Sequence, residues 1–435
     1  MSRLLVQRML GAALLLAAVW SVAGCGDGSQ TKIDPEARKL VIIGIDSADW
    51  ALLDPMIAVD RMPNLKAFRD QSTYGRMHTF LPLQKSPRLW ASISTGVRPE
   101  VHGIANFVSG SKQEPVRGSA WHAPALWDIL GAADMSTAVI GMWSTYPARP
   151  INGVMVSDYL PYGSKRLKPM ANLASPDSLS AIFAAMRVDP ASLGAAELGR
   201  FIDADHLAEF DEKYPRQMEA LRDFHAADLT YLAVARQLAA DNDFDLFFYY
   251  LRGPDMISHK FFEYHKPDNM RLPPSADKLA AFSGVVENYY DWSDEVLGEV
   301  LSWFPADRQT VIVSDHGFYG PRRNGDKGAK EHSEWGIFLV RSPLYEAGHG
   351  FGHLKLLDVC PTLLALMGLP AGQDMPGVVL AEGLTPDGLK RVQKLEKSRV
   401  ETYMPLAPVA GPVGESDAGV NEEIRKQLRS LGYIN

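Results

Sequence analysis

The chain has 435 residues, 46% of them apolar and 22% charged, and carries a formal net charge of −8. That length can build one large domain or two of medium size. The acidic balance excludes a general nucleic-acid-binding surface, while a local site for a small anion remains open.

The N-terminus is not expected to belong to the fold. It carries Arg3 and Arg8, an apolar stretch from Met9 to Val22, and small residues before Cys25. A charged start, a short apolar run and a small-residue exit describe a secretory signal over residues 1–24 rather than a membrane span. The stretch VAGC resembles a bacterial lipobox, which would make Cys25 the lipidated first residue of an exported protein. Gly26 follows, a residue that does not direct retention in the inner membrane. The expectation is therefore a lipoprotein held at the outer membrane, facing the periplasm or the cell surface. Cys25 and Cys360 are the only cysteines, so no disulfide is expected, and Cys360 reads as a small buried hydrophobe.

Residues 25–38 are polar and unpatterned, a tether to the fold proper at residues 39–435. Strand-like runs follow at KLVIIGI, TAVIG, GVMVS, DLFFYYL, TVIVS and WGIFLV, with helical patterns such as MPNLKAFRDQ and FSGVVENYYDWSDEVLGEVLSWF between them. Continuous apolar strands alternating with helices predict an α/β sandwich around a mostly parallel sheet. Residues 175–240 break the alternation: they hold no convincing strand and read as a helical insertion or cap. The tail NEEIRKQLRSLGYIN reads as a short amphipathic helix near the surface.

Four segments place metal-ligating side chains just past strand ends, where α/β enzymes keep their sites. VIIGIDSADW ends its strand on Asp46. In DLFFYYLRGPDMISHKFF, Asp255 and His259 stand four apart, so a helical turn puts both on one face. TVIVSDHGFYG delivers Asp315 and His316 together, and GAKEHSEWGIFLV carries His332 before its strand. A strand-terminal Asp taken alone reads as a helix cap, and a lone His as core. Chain order and common placement favour the ligand reading, and three Asp with three His suit Zn²⁺ or a similar divalent ion. In LPLQKSPRLWASISTG, Ser86 opens a helical pattern, where backbone N–H groups and the helix dipole favour a phosphate and an ionised serine. Lys85 and Arg88 flank it and are candidate phosphate contacts.

This set, from about Leu40 to Pro370, resembles the alkaline phosphatase superfamily, and within it the type I phosphodiesterase/nucleotide pyrophosphatase-like branch. The resemblance implies a three-layer sandwich and two divalent metal ions, Zn²⁺ or Mn²⁺. Asp46, Asp315 and His316 would bind one together with the Ser86 oxygen; Asp255, His259 and His332 would bind the other. SPRLWASISTGVRPEVHGI is similar to the family's nucleophile segment, with Ser86 as the attacking residue. Asn106 falls one residue from a family asparagine that holds non-bridging phosphate oxygens. The implied activity is hydrolysis of small phosphodiesters or nucleotide pyrophosphates through a phosphoserine intermediate. Phosphomonoesterase and sulfatase chemistry are the rivals on the same fold. Sulfatases need Pro and Arg where Arg88 and Trp90 stand here. A non-catalytic binding lipoprotein is the reading from outside enzymology.

Overall fold

The computed structural model describes residues 39–162, 171–270, 272–319, 332–408 and 418–430. The segments expected as a signal and a tether, with the expected lipidation position Cys25, lie outside the described residues. Nine strands form one sheet: β1 (Leu40–Ile45), β2 (Thr73–His78), β3 (Thr137–Ile140), β4 (Gly153–Val156), β5 (Ala174–Ser175), β6 (Leu246–Leu251), β7 (Gln309–Val313), β8 (Trp335–Arg341) and β9 (Gly350–Lys355). Their order is β9-β2-β8-β7-β1-β6-β3-β4-β5. The helices used below are α1 (Trp50–Ala58), α2 (Ser86–Thr95), α3 (Leu126–Ala132), α4 (Pro215–Asp241), α5 (Gly253–His265), α6 (Val285–Ser302), α7 (Val359–Leu366) and α8 (Ala418–Ser430).

β1 lies parallel to both of its neighbours, β6 and β7, and β6, β3 and β4 continue in parallel. β8 runs antiparallel to both β7 and β2. The sheet is thus mixed and mostly parallel, as the alternation of elements predicts. Because side chains alternate across a strand, β1 feeds two cores. Val41 and Ile43 join Phe247, Tyr249 and Ile312 beneath α1, α4, α5 and α6. Leu40 and Ile42 join Phe248, Val311 and Val313 beneath α2, α3 and α7. Two helical layers around one sheet make the three-layer sandwich.

All six strands expected from the sequence are present. Those at the β9-β2 edge were not anticipated: β2 (TYGRMH) alternates buried with less buried residues, and β9 (GFGHLK) is mostly exposed. The segment expected as an insertion or cap divides. Residues 177–213 fold as short helical turns, whereas α4 lies in the layer itself, burying Met218, Leu221, Tyr231, Val234 and Leu238. Among the described residues no helix is long and apolar enough to cross a membrane.

Two junctions aim the chemistry. Helix α2 starts with Pro87 in its first turn and stops at Gly96, which takes a left-handed φ of 70°. Helix α5 begins at Gly253, directly after β6, in a close approach: a Cβ there would stand 2.0 Å from Asp228 Oδ2 and 2.5 Å from the Tyr289 hydroxyl. Asp228 and Tyr289 are themselves hydrogen-bonded at 2.8 Å, so neither yields cheaply. Gly253→Ala is therefore expected to destabilise the fold by about 1–3 kcal/mol, as overpacking of a closed core does. Chemical denaturation measures it, and an unchanged midpoint would refute the tight junction.

Candidate active site

Asp46 extends β1, its N–H donating to Leu251 O at 3.0 Å. Asp315 and His316 follow β7, Asp255 and His259 lie in the first two turns of α5, and His332 precedes β8. These strand ends meet the N-terminus of α2, where Ser86 is the first helical residue. Six of the seven residues are buried; His259 is intermediate as a residue, with its imidazole buried.

Ser86 Oγ stands 3.4 Å from Asp46 Oδ1 and 3.2 Å from His316 Nε2. His316 Nε2 lies 3.4 Å from both Asp46 Oδ1 and Asp315 Oδ2. In the second group, His259 Nε2 and His332 Nε2 are 2.8 Å apart, each 3.4 Å from Asp255 Oδ1. The His316 and His332 rings stack at 3.8 Å between centroids. Asp255, His316 and His332 also converge within ligating distance of one another, as do Asp46, Asp315 and His316. His316 therefore stands between the two groups.

Three carboxylates share this buried space. Burial, then the charge of Asp255, push the Asp46 carboxyl up to about 7. Burial and the neighbouring Asp46 hold Asp315 well above the usual carboxylate range. Burial also works on Asp255, but the charge of His259 and hydrogen bonds to His259 and His332 hold its carboxyl well below that range. His316 and His332 are pushed down, mainly by burial.

The donor set fits divalent cations. Both Asp315 oxygens are buried without a hydrogen-bond donor, and the His259 and His332 nitrogens face each other at 2.8 Å. Buried oxygens without donors, and imidazole nitrogens aimed at one another, are costly unless a cation lies between them. Two of the remaining ring nitrogens are fixed from behind. His316 Nδ1 meets Gly317 O at 3.0 Å and His332 Nδ1 meets Gln84 O at 3.4 Å, contacts that turn Nε2 toward the cluster.

Several supporting groups are not evident from sequence motifs. The Tyr250 hydroxyl donates to Asp46 Oδ2 and accepts from the Trp143 indole at 2.8 Å. Ser47, in the left-handed region at φ 70°, donates to Asp255 Oδ1 at 2.9 Å. Non-glycine residues rarely sit there, and such strain collects at functional sites. Ser314 Oγ accepts from Ala48 N–H and donates to His316 O, tying the two strand-end turns together. Arg252, fully buried, donates to Tyr231 Oη at 2.6 Å and to Gly141 O at 3.1 Å, with its guanidinium over the Trp143 ring at 4.4 Å. The only sequence signal for it was a polar residue closing an apolar strand.

The flanking candidates sit differently. Lys85 is half-buried at the N-cap position of α2, where burial lowers its ammonium pKa. Arg88 is turned to Gln84 Oε1 and Glu100 at 3.1 and 3.0 Å, so its guanidinium is engaged outside the cluster. Asn106 accepts from Phe107 N–H and lines a cleft with Arg117 and Arg425.

A family model described as type I phosphodiesterase/nucleotide pyrophosphatase matches residues 40–325. No curated protein matches the chain. A putative sulfatase from Bacteroides thetaiotaomicron VPI-5482 is similar in structure, with a TM-score of 0.50, 13% identity, and 79% of this chain and 74% of the other covered. A 2-O GAG sulfatase gives 0.49 at 14% identity, covering 79% and 73%. Human ectonucleotide pyrophosphatase/phosphodiesterase 5 gives 0.45 at 12% identity, covering 82% and 99%. At these identities the likeness is one of fold.

Adding Mn²⁺ or Zn²⁺ to chelator-treated protein is expected to raise the thermal midpoint, by more at higher pH. The sign follows from Asp46, pushed up to about 7, and Asp315, held well above the usual carboxylate range: each favours a proton that a cation must displace. His316 and His332, kept neutral by burial, add no competing proton. Apparent affinity should therefore fall about tenfold per pH unit below about 7 for each proton displaced. Differential scanning at several pH values measures this, and a metal shift independent of pH would contradict it.

Proposed function

Because the chain belongs to the type I phosphodiesterase/nucleotide pyrophosphatase family of phosphoric-ester hydrolases, we propose that it cleaves small phosphodiesters or nucleotide pyrophosphates with Ser86 as nucleophile. The observation that carries this reading is the convergence on Ser86. Its hydroxyl, at a helix N-terminus, faces Asp46 and His316 within 3.4 Å, beside a second Asp–His–His group. Asp46, Asp315 and His316, with Ser86 Oγ, would hold one divalent ion; Asp255, His259 and His332 would hold the other. Zn²⁺ fits the mixed nitrogen and oxygen donors best, with Mn²⁺ as the alternative. Bound there, the ions would supply Lewis acidity, lowering the pKa of the serine hydroxyl and neutralising phosphoryl charge.

The residues supply the rest. Gly317 O and the Tyr250 hydroxyl hold His316 and Asp46 in place around Ser86 Oγ, and the N-terminus of α2 favours both the alkoxide and the phosphate anion. Attack by Oγ forms the Ser86–phosphorus bond and breaks one ester bond. The leaving alcohol, or phosphate where a pyrophosphate is cleaved, carries off the proton that Ser86 gave up, and water then hydrolyses the phosphoserine to release a phosphomonoester and restore Ser86. Burial of the cluster strengthens each of these electrostatic contacts relative to water.

Sulfatase chemistry is the rival reading on this fold, and the nucleophile segment argues against it. Trp90, where a sulfatase would place Arg, is fully buried, packed on Phe248 and Tyr250. It belongs to the core. Export with a lipid anchor on Cys25 remains part of the proposal, carried by the N-terminal sequence.

Mature protein supplied with Zn²⁺ or Mn²⁺ is expected to hydrolyse bis-para-nitrophenyl phosphate faster than the corresponding monoester or sulfate ester. Chelation should abolish the activity, and Ser86→Ala should lower kcat by about 10³-fold or more, as loss of a covalent nucleophile does. Faster monoester or sulfate turnover would replace the substrate class. Undiminished activity in Ser86→Ala would remove the serine mechanism.

A further inference from the structure

Helix α8 packs into the catalytic domain through Asn421, Ile424 and Leu428, which are buried. Ile424 and Leu428 close a slot whose other walls include Pro87, Phe107, Trp143, Tyr162 and Met256. A cavity of about 20 Å³ is left between them. Three of these walls are joined to the candidate site. Pro87 follows Ser86, Met256 follows Asp255, and Trp143 donates to the Tyr250 hydroxyl that in turn bonds Asp46.

The helix also separates two open clefts. One, of about 650 Å³, is lined by Arg216, Lys260, Lys426 and Arg429, among others. The other, of about 520 Å³, is lined by Asn106, Arg117, Asn421 and Arg425. Each wall mixes cations with carboxylates, Glu219 and Asp223 in the first cleft and Glu114 in the second. Polar contacts add to the apolar packing of α8: Arg425 to Glu114 at 3.2 Å, Lys426 to Glu219 at 2.8 Å, and Asn421 between Glu114 and Arg117 at 3.3 and 3.2 Å.

Building on the proposed phosphodiesterase activity, we infer that α8 is a specificity element. Its Ile424–Leu428 pair fills an aromatic slot walled in part by Pro87, the residue after the nucleophile, and limits the bulk of the apolar or aromatic ester group that fits there. A small ester is accommodated without entering the slot, and a large one competes with the two side chains for the same space. Nothing in the nucleophile or the Asp and His cluster has to change for selectivity to change.

The test compares phenyl para-nitrophenyl phosphate with methyl para-nitrophenyl phosphate, which share a leaving group. In the full chain, Ile424→Ala with Leu428→Ala is expected to raise the phenyl-to-methyl ratio of kcat/KM by about fivefold or more, with methyl diester turnover within about twofold of wild type. Ile424→Phe should lower the ratio. A merely structural helix would change both substrates in parallel, so an unchanged ratio in both variants overturns the inference. If the wild-type protein cleaves no phosphoester, the functional reading fails, and the slot is then read by binding of anilinonaphthalene sulfonate. Stronger dye fluorescence in the double alanine variant supports an occluded slot, and equal fluorescence overturns it.

Discussion

The constraint behind this fold is the burial of three carboxylates around His316. Taking an ion out of water costs several kcal/mol, and like charges nearby add to that cost. Asp46, Asp315 and Asp255 sit in one buried space, and much of the local structure answers that cost. Protonation is favoured at Asp46 and Asp315, while Asp255 stays ionised against its two imidazoles. Tyr250 and Ser47 donate to carboxylate oxygens. Both Asp315 oxygens nevertheless lack a donor. A site built this way is incomplete electrostatically without cations.

The sheet makes the convergence inexpensive in backbone terms. Parallel strands deliver their carboxyl ends to one edge, so Asp46, Arg252–Asp255 and Asp315 arrive as neighbours through β1, β6 and β7. The turns after those strands do the finer aiming. Ser47 accepts a left-handed backbone so that its side chain reaches Asp255, and Gly253 lets α5 begin against Asp228.

The central strands were legible because burial on both faces leaves a continuous apolar run, as in LVIIGI and LFFYYL. The edge strands were not: β2 and β9 bury only one side and include Gly75, Gly350 and Gly352, which weakens any period-two pattern. The helical character of residues 177–241 was also readable, but not that α4 packs into the sandwich, because its hydrophobic pattern is shared with residues that touch other helices. In the site, the Asp and His positions stood out through their place after apolar strands. Tyr250, inside β6, and Trp143, Ser314 and Arg252, just past strand ends, did not, since such residues carry no sign of their partners in the sequence. Arg88 illustrates the opposite limit: proximity in sequence to Ser86 did not decide where its guanidinium points.

The register of β1 has a consequence for how the chain reaches this state. β1 is the first strand of the sheet, yet it pairs with β6 from Leu40 to Leu246 and with β7 from Leu40 to Gln309. A nascent chain therefore emerges with its most apolar strand, and the aspartate that ends it, long before either neighbour exists. Closing such distant pairings carries a loop entropy that local contacts do not repay in advance. Assembly should be slow and late, with the ligating groups brought together only in the last stage, after His332 has been made. A chain of this topology depends on being kept from aggregation while it waits.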